Sequence, residues 1–391
     1  MTKRVKLSEV AELITKGTTP TTLGFDFQDS GINFLKIECF DDYGSFISDK
    51  VAHISDECNE KLKRSQLKKG DVLFSIAGAI GRVAIVTEDM LPANTNQALA
   101  IIRINREDVY LPYIKLILTS PIIREQFERK KQGVAQLNLS LKDIGDLEIP
   151  LSSYEKQIEY AETFDRVKNI IAFRKQELKE LDNLIESRFV EMFGDPAINE
   201  KNWIIIDLES VTTIVTYGLT VRPEYIDDGI ELVSARELHK GYVAYGEAPK
   251  ISLGDFKKLS EKGKPQKNDI LFSKTGSIGH CALVEDEKSF AITQNAARIG
   301  LDIEKVNPVW LLYYLRMDYI QNWCKNHAKG NAVKDFQLQD MKVIPLFDCS
   351  LELQNKFADF VNQVDKSKFV VQKALDEAQT LFDSLMQEYF S

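Results

Sequence analysis

Two patterns of hydrophobic and polar residues follow one another along the chain, and the succession occurs twice. The first is a series of short β-branched and aromatic runs, such as VLFSI at 72–76 and RVAIVT at 82–87, separated by Gly, Asn, Asp and Pro. Runs of this length between turn-forming residues predict β-strands. Each strand-rich block is followed by a short helical pattern, around 111–131 and 307–328, and then by a long one.

The long patterns are stretches of about forty residues in which apolar side chains recur at steps of three and four. Charged residues such as Arg174, Lys175 and Glu177 occupy the other face, which predicts an amphipathic helix with a coiled-coil-like seam. At about 1.5 Å per residue, each helix would be roughly 60 Å long. The equivalent helix of the other half is the favoured partner for the apolar stripe, and the core of the helix's own domain is the alternative. The stripe residues are Ile158, Phe164, Val167, Ile171, Leu178, Leu181, Ile185, Phe189 and Met192, and then Phe357, Phe360, Val364, Val371, Leu375, Ala378, Leu381, Leu385 and Met386.

The two halves also share similar sequence segments. LFSIAGAIGRVAIV at 73–86 is matched by LFSKTGSIGHCALV at 271–284, an offset of 271 − 73 = 198 residues. The match continues through EKQIEYA at 155–161 and ELQNKFA at 352–358, and ends with LIESRFVEMF at 184–193 and LFDSLMQEYF at 381–390. A period of this length indicates two copies of a domain-sized unit rather than a solenoid of small repeats.

The sequence therefore predicts an α+β fold, a tandem duplication of a β-rich globular domain followed by a long helix. The predicted boundaries are residues 1–151 for the first domain and 152–196 for its helix region, which ends in a Gly-Asp-Pro turn. Residues 197–348 form the second domain, and 349–391 the C-terminal helix region.

Composition narrows the class of protein. Of the 391 residues, 44% are hydrophobic and 28% charged, as in a folded globular protein. No stretch approaches eighteen consecutive apolar residues, and the start, MTKRVKLSEV, lacks the apolar core of a signal peptide. The five cysteines are scattered and form no CxxC, which argues against a disulfide framework or a zinc site. A reducing, cytoplasmic location is expected.

Catalytic signatures are missing from the sequence. It contains no phosphate-binding loop, no HExxH and no Gly-rich dinucleotide fingerprint, and its four histidines lack metal spacing. The expectation is a chain that is not an enzyme and holds neither a cofactor nor a metal. The formal net charge of −9 argues mildly against nucleic-acid binding, although binding depends on local fields more than on totals.

Polar side chains cluster around the glycine loops of both copies. Arg pairs with guanine, and Asn or Gln with adenine, through paired hydrogen bonds in the major groove, so these side chains are candidate base readers. The glycines permit close approach to a ligand, or alternatively only shape a hairpin. The candidate readers are Arg82, Asn94, Asn96 and Gln97 in the first copy, with Lys274, His280, Gln294 and Asn295 in the second.

Basic residues recur at equivalent places in both copies. A single lysine run is usually only surface, but recurrence favours contacts with DNA phosphates. The predicted phosphate-binding residues are Lys61, Lys63, Arg64, Arg129, Lys130 and Lys131 in the first copy, and Lys257, Lys258, Lys262, Lys264, Lys329 and Lys334 in the second.

The duplicated layout, the LFS-x3-G-x-IG loops, Gln157 and Gln354 at the starts of the long helices, and SRFVEMFGDP at 187–196 resemble the specificity subunit of type I restriction–modification systems. The resemblance implies two target-recognition domains, each reading one half of a split, asymmetric site in double-stranded DNA. It also implies that the helices pack antiparallel, set the spacing and dock two modification subunits. Those subunits would bind S-adenosylmethionine and methylate adenine, and restriction subunits that use ATP and Mg²⁺ could complete the assembly.

Positions where the two copies differ are expected to read different bases. AGAIGR contrasts with TGSIGH, and NFLKIECF with ELVSAREL. Chemistry and position add Thr18, Thr19 and Lys36 in the first copy, and Arg222 and Arg236 in the second, to the candidate base readers. Two alternatives remain open from the sequence: a scaffold whose paired domains bind proteins, and a nuclease that uses dispersed carboxylates.

Overall fold

The computed structural model describes residues 3–41, 44–129, 138–220, 223–331 and 333–390. The chain divides into two compact units. Unit 1 consists of residues 1–175 together with 373–391, and unit 2 of residues 176–372. The four predicted segments follow the order of the chain, whereas each compact unit joins one strand-rich block to parts of both long helices.

Unit 1 contains the strand-rich block of the first copy. Its strands are β1 Lys3–Lys6, β2 Leu13–Lys16, β3 Ile32–Leu35, β4 Ala52–Ile54, β5 Val72–Ser75, β6 Val83–Ile85, β7 Ala93–Thr95, β8 Leu99–Arg103 and β9 Glu148–Leu151. Its helices are α1 Leu7–Val10, α2 Asp56–Lys61, α3 Leu111–Leu118, α4 Pro121–Glu128, α5 Leu141–Gly145 and the first part of α6 Tyr154–Phe193. The strands form three sheets in the orders β1-β9, β2-β8-β5-β6 and β4-β3-β7.

Unit 2 contains the second copy. Its strands are β10 Ile205–Asp207, β11 Thr212–Tyr217, β12 Ile230–Val233, β13 Lys250–Ile251, β14 Ile270–Ser273, β15 Cys281–Leu283, β16 Ala291–Ile292, β17 Ala296–Leu301 and β18 Pro345–Phe347. Its helices are α7 Leu253–Lys258, α8 Pro308–Arg316, α9 Asp318–His327, α10 Leu338–Lys342 and the first part of α11 Leu351–Phe390. The sheets have the orders β10-β18, β11-β17-β14-β15 and β13-β12-β16.

The sheet orders of the two units correspond strand for strand, and so do their registers. Leu73 lies opposite Ala84 in unit 1, and Leu271 lies opposite Ala282 in unit 2, which preserves the 198-residue offset. The predicted duplication is therefore a duplication of structure, and the α+β fold class is confirmed.

The central strand of each unit is buried on both faces, which explains its unbroken apolar run. In β5, Val72 and Phe74 belong to one core cluster and Leu73 to another. In β14, Ile270 and Phe272 face one cluster and Leu271 faces the other. Because successive side chains of a strand point to opposite faces, a sheet covered on both sides needs apolar residues at every position.

The long helices α6 and α11 contain forty residues each, as predicted, and they pack against each other. In unit 1, Tyr160 stacks on Tyr389 with ring centroids 4.4 Å apart, and Phe164 contacts Phe382 at 5.2 Å. Residue numbers rise along one helix as they fall along the other, so the packing is antiparallel. In unit 2, the two helices contact each other through Phe189 and Phe357, whose ring centroids are 5.3 Å apart.

The stripe differs from its prediction at one position, and apolar residues outside it are exposed. Leu381, assigned to the stripe, is half exposed at 49%. Phe173 on α6 and Phe369 on α11 are each 72% exposed, and neither belongs to the predicted stripe. Across the described ranges, none of the helices combines the length and apolar composition that crossing a lipid bilayer requires.

The short helical patterns around 111–131 and 307–328 each form two helices rather than one. In unit 1, α4 begins at Pro121, which forces Ser120 into an extended conformation and ends α3. In unit 2, the break falls at Met317, and the Gln321 side chain donates to the free carbonyl of Leu315 at 2.6 Å. Satisfying that carbonyl stabilises the break without a proline.

Candidate nucleic-acid interface

Three of the predicted base readers, Arg236, His280 and Asn295, line one open groove in unit 2, with a volume of about 650 Å³. They come from three separate parts of the sequence: the turn after β12, the β14–β15 loop and the residue before β17. We call this depression the unit 2 groove. Its other polar lining residues were not named individually from the sequence, and they are Ser234, Glu237, His239, Glu247, Thr275 and Ser277. All but His239 and Glu247 lie in the segments expected to differ in the bases that they read.

The glycine loop at the floor of the groove is held in shape by Ser273. Its hydroxyl donates to the carbonyl of Ser277 at 2.5 Å and accepts from the amide of His280 at 2.9 Å. Gly276 and Gly279 have φ angles of +80° and +107°, a region that favours glycine. Gly78 and Gly81 of unit 1 repeat this geometry at +73° and +90°. These glycines shape the turn, which agrees with the hairpin alternative.

Lys274, predicted to read bases, serves instead as a structural anchor. Its side chain is almost fully buried, and the ammonium donates to the Asp335 carboxylate at 2.5 Å. Thr275 donates to the same carboxylate, and the amide of Phe336 donates to the carbonyl of Lys274 at 2.7 Å. This correction follows from a partner sixty-one residues away, which sequence patterns do not reveal. Asp335 thereby fixes one wall of the unit 2 groove.

The remaining unit 2 readers are accessible. Arg236, Gln294 and Asn295 are exposed, and His280 is half-buried. Burial lowers the pKa of His280, and the nearby charges of His239 and Lys325 lower it further. His280 is therefore neutral at pH 7 and offers one donor and one acceptor. Arg222 lies outside the described residues.

In unit 1, the predicted readers are mostly engaged within the protein. Asn94 is fully buried and donates to Asn59 at 2.9 Å, so we reassign it from base reading to the fold. Arg82 donates to the carbonyl of Phe40 at 3.0 Å. The other candidates also have partners within the protein. Asn96 accepts from the Ala98 amide at 3.0 Å, and Gln97 accepts from the amide and hydroxyl of Thr19. Lys36 forms an ion pair with Glu38 at 3.0 Å. Thr18 is half-buried on the same loop as Thr19.

The predicted phosphate-binding residues that the structure describes are almost all exposed. Their cationic groups fall into two classes, with and without an ion pair. Lys63, Arg129, Lys258, Lys264 and Lys329 pair with Glu60, Glu125, Asp255, Glu261 and Asp340 respectively. Among the described residues, no such pair forms at Lys61, Arg64, Lys257, Lys262 or Lys334. Lys130 and Lys131 lie outside the described residues.

Each unit also contains an arginine–aspartate pair, which is buried in unit 2 and has a partly exposed arginine in unit 1. Arg103 donates through two nitrogens to Asp71, both at 2.7 Å, and Arg298 donates to Asp269 at 2.6 Å. Each aspartate also accepts a backbone amide, from Lys68 or Gln266. The pairs close the turn that leads into the central strand of each unit, at positions where both copies have aspartate.

Gln157 and Gln354 fasten the strand-rich block of each unit to the start of a long helix. Gln157 accepts the Tyr110 amide at 2.9 Å and donates to the carbonyl of Asp108 at 2.9 Å. Gln354 accepts the Asn307 amide at 2.8 Å. Both side chains are buried, so these matching residues hold the fold together rather than contacting a ligand.

In the part of the chain that the structure describes, no three His, Cys, Asp or Glu side chains are placed to hold a metal ion. The five cysteines are free and buried. Burial raises the pKa of Cys324 to about 12, which keeps that thiol protonated.

Comparison with known proteins shows which protein family has this architecture. The family model for the type I restriction modification DNA specificity domain matches residues 2–183 and again 200–378. The type I restriction enzyme EcoBI specificity subunit of Escherichia coli is 33% identical over 164 residues, which is 41% of this chain. That match spans 33% of the length of the Escherichia coli protein.

Two solved structures share the fold. One, from a study of complex assembly and conformational transition of the type I R-M system, has a TM-score of 0.63 at 16% identity, covering 99% of this chain and 97% of the other. The S subunit of a type I system from M. genitalium has a TM-score of 0.55 at 14% identity, covering 100% and 96%. The specificity family is non-catalytic, as predicted for this chain. With two matches that together span most of its length, the chain belongs to the type I restriction modification DNA specificity domain family and carries that domain twice.

Proposed function

We propose that this chain is the sequence-specific DNA-recognition subunit of a type I restriction–modification complex. Each strand-rich domain reads one half of a bipartite, asymmetric site in duplex DNA. The long helices set the spacing between the halves and dock two modification subunits. Those partners supply S-adenosylmethionine and the chemistry of adenine methylation, and restriction subunits would add the steps that depend on ATP and Mg²⁺. The assembly would work in the cytoplasm, where the DNA is.

The main support for the proposal is that both units have the same strand topology but carry different side chains at equivalent positions. Glu38 of unit 1 corresponds to Arg236 of unit 2, since 236 − 38 = 198, and Arg82 corresponds to His280 at the same offset. The surrounding strands have the same order in both units. A fold that both units share, with different polar side chains on it, suits the recognition of two different half-sites.

The long helices support the assignment of protein partners. Phe173 and Ile170 on α6 are exposed, at 72% and 47%, and Phe369 and Val370 on α11 are exposed at 72% and 66%. Large exposed apolar side chains along a helix indicate a protein contact surface. Partners that cover these side chains could also contribute positive charge for DNA binding, which this chain, with a net charge of −9, lacks overall.

Replacing Lys257 and Lys262 together with alanine should weaken binding of the assembled complex to every duplex by a similar factor. Both side chains are exposed, and neither pairs with a carboxylate among the described residues. Each lost phosphate contact should reduce the slope of log affinity against log salt by about one unit. The measurement is fluorescence anisotropy titration at several salt concentrations, on duplexes with and without the recognised site.

Lys305→Ala is the matched control, because Lys305 pairs with Asp302 at 3.1 Å and lies outside the proposed contacts. The control should leave affinity and salt slope unchanged. An unaltered slope in the double variant would contradict the phosphate assignment. Absence of any site preference in the unmodified complex would contradict DNA recognition itself and favour the scaffold alternative.

A further inference from the structure

Arg236 is held in place by its backbone and left free at its side chain. The turn that carries it is closed by Ser234, whose amide and hydroxyl donate to the Glu237 carboxylate at 2.6 and 2.7 Å. The Ser234 hydroxyl accepts the amide of Arg236 at 3.3 Å. Glu237 is thus used by Ser234, and within the described residues the Arg236 guanidinium has no hydrogen-bonding or ionic partner. A fixed backbone that carries an unpaired, planar guanidinium is suited to binding a ligand through two parallel hydrogen bonds.

The unit 2 groove beside Arg236 offers more donors than acceptors. The Asn295 amide makes no side-chain bond to a described residue, and His280 offers one donor and one acceptor, whereas the Arg236 guanidinium adds five N–H donors and no acceptor. Carboxylates that could make the groove acidic are already engaged. Glu247 pairs with Lys240, and Glu237 accepts from the amide and hydroxyl of Ser234. The free groups that converge here are therefore mainly N–H donors.

The equivalent surface of unit 1 has a different chemistry. Glu38 stands in the position of Arg236 and is paired with Lys36. Ala77 and Ala79 replace Thr275 and Ser277, and the Arg82 guanidinium is bound to backbone carbonyls. An arginine with an unpaired guanidinium at this position is thus a property of unit 2 and not of the fold that the two units share.

We propose that the unit 2 groove selects a guanine, with Arg236 as the residue that reads it. This inference rests on the proposed function. Guanine presents two adjacent acceptors, N7 and O6, in the major groove, and a planar guanidinium donates to both at once. Adenine places a donor beside N7, and a donor-rich groove disfavours it. Asn295 and His280 flank the fork and restrict where the base pair can lie.

The test uses the full chain assembled with its modification partner and duplexes that contain its recognised site. Each guanine is replaced in turn by 7-deazaguanine, which lacks N7 and retains base pairing. The unmodified complex should lose about tenfold or more in affinity at one guanine of one half-site. Arg236→Ala should bind more weakly and show no further loss at that guanine. Arg236→Lys keeps the charge without the fork and should also lose the preference.

Matched controls separate this idea from its rivals. Lys305→Glu changes charge in the same unit and should keep the full sensitivity to 7-deazaguanine. If Arg236→Ala weakens all duplexes equally and keeps the sensitivity, Arg236 contacts a phosphate and the proposal is wrong. A site that is read specifically but contains no sensitive guanine would overturn the proposal while leaving DNA recognition intact. A complex without any site preference would overturn both.

Discussion

Replacing Met386 and Phe390 together with alanine should lower the free energy of unfolding of unit 1 by about 5 kcal/mol or more. These side chains come from the far end of the chain, yet they are buried in the core of the first strand-rich block. Phe390 lies 6.0 Å from Tyr113 and 5.8 Å from Phe164 between ring centroids. Since a domain is typically stable by about 5–15 kcal/mol, the loss should leave unit 1 marginal or unfolded.

Hydrogen exchange followed by mass spectrometry would localise this effect, because it reports on each strand separately. Protection should fall in β5 and β8 of unit 1 and persist in β14 and β17 of unit 2. Phe369→Ala is the control on the same helix, and as an exposed position it should change stability by less than about 0.5 kcal/mol. Equal loss of protection in both units, or none in β5, would contradict the placement of the helix end.

Replacing Arg298 with methionine should destabilise unit 2 by about 3–5 kcal/mol, because it leaves the Asp269 carboxylate buried without its cation. Asp269 and Arg298 are 5% and 6% exposed, and Arg298 also donates to the carbonyl of Glu261 at 2.9 Å. Urea denaturation of the chain would measure the loss, with the unfolding of unit 2 followed through tryptophan fluorescence, because all three tryptophans lie in unit 2. Arg103→Met should destabilise unit 1 for the same reason, because Arg103 pairs with Asp71, although from a different position in its strand.

The double variant Asp269→Asn with Arg298→Met distinguishes an unpaired charge from simple loss of packing. Asparagine retains an oxygen that can accept the Gln266 amide and removes the charge. The double variant should therefore be more stable than Arg298→Met alone. A double variant that is less stable than the single one would show that the charge is not the source of the cost.

The duplication and the long helices could be predicted because their signals are local and repeated. Period, length and the apolar stripe are all readable along the sequence, and the same pattern occurs at a fixed offset in both copies. The breaks within the shorter helices were missed. One depends on Pro121, which was visible, and the other on a side-chain bond from Gln321 that only the fold provides.

The candidate site was predictable only in part, because the sequence does not show which polar side chains are already bonded within the protein. Asn94 and Lys274 have the residue types expected of base readers, but one is buried against Asn59 and the other is held by Asp335. His239 and Ser277 line the groove through turns whose geometry the pattern of residue types does not define. Arg236, by contrast, was predicted from its residue type and position, within a segment that differs between the two copies.

Base-resolution methylation sequencing of host DNA, with the gene for this chain intact and deleted, tests the central claim most directly. The strain should express the neighbouring modification subunit. The account predicts a split motif with methylated adenine that disappears on deletion, and its two halves would be the sites of the two domains. An identical methylation pattern in both strains would contradict the assignment of this chain as the DNA-recognition subunit.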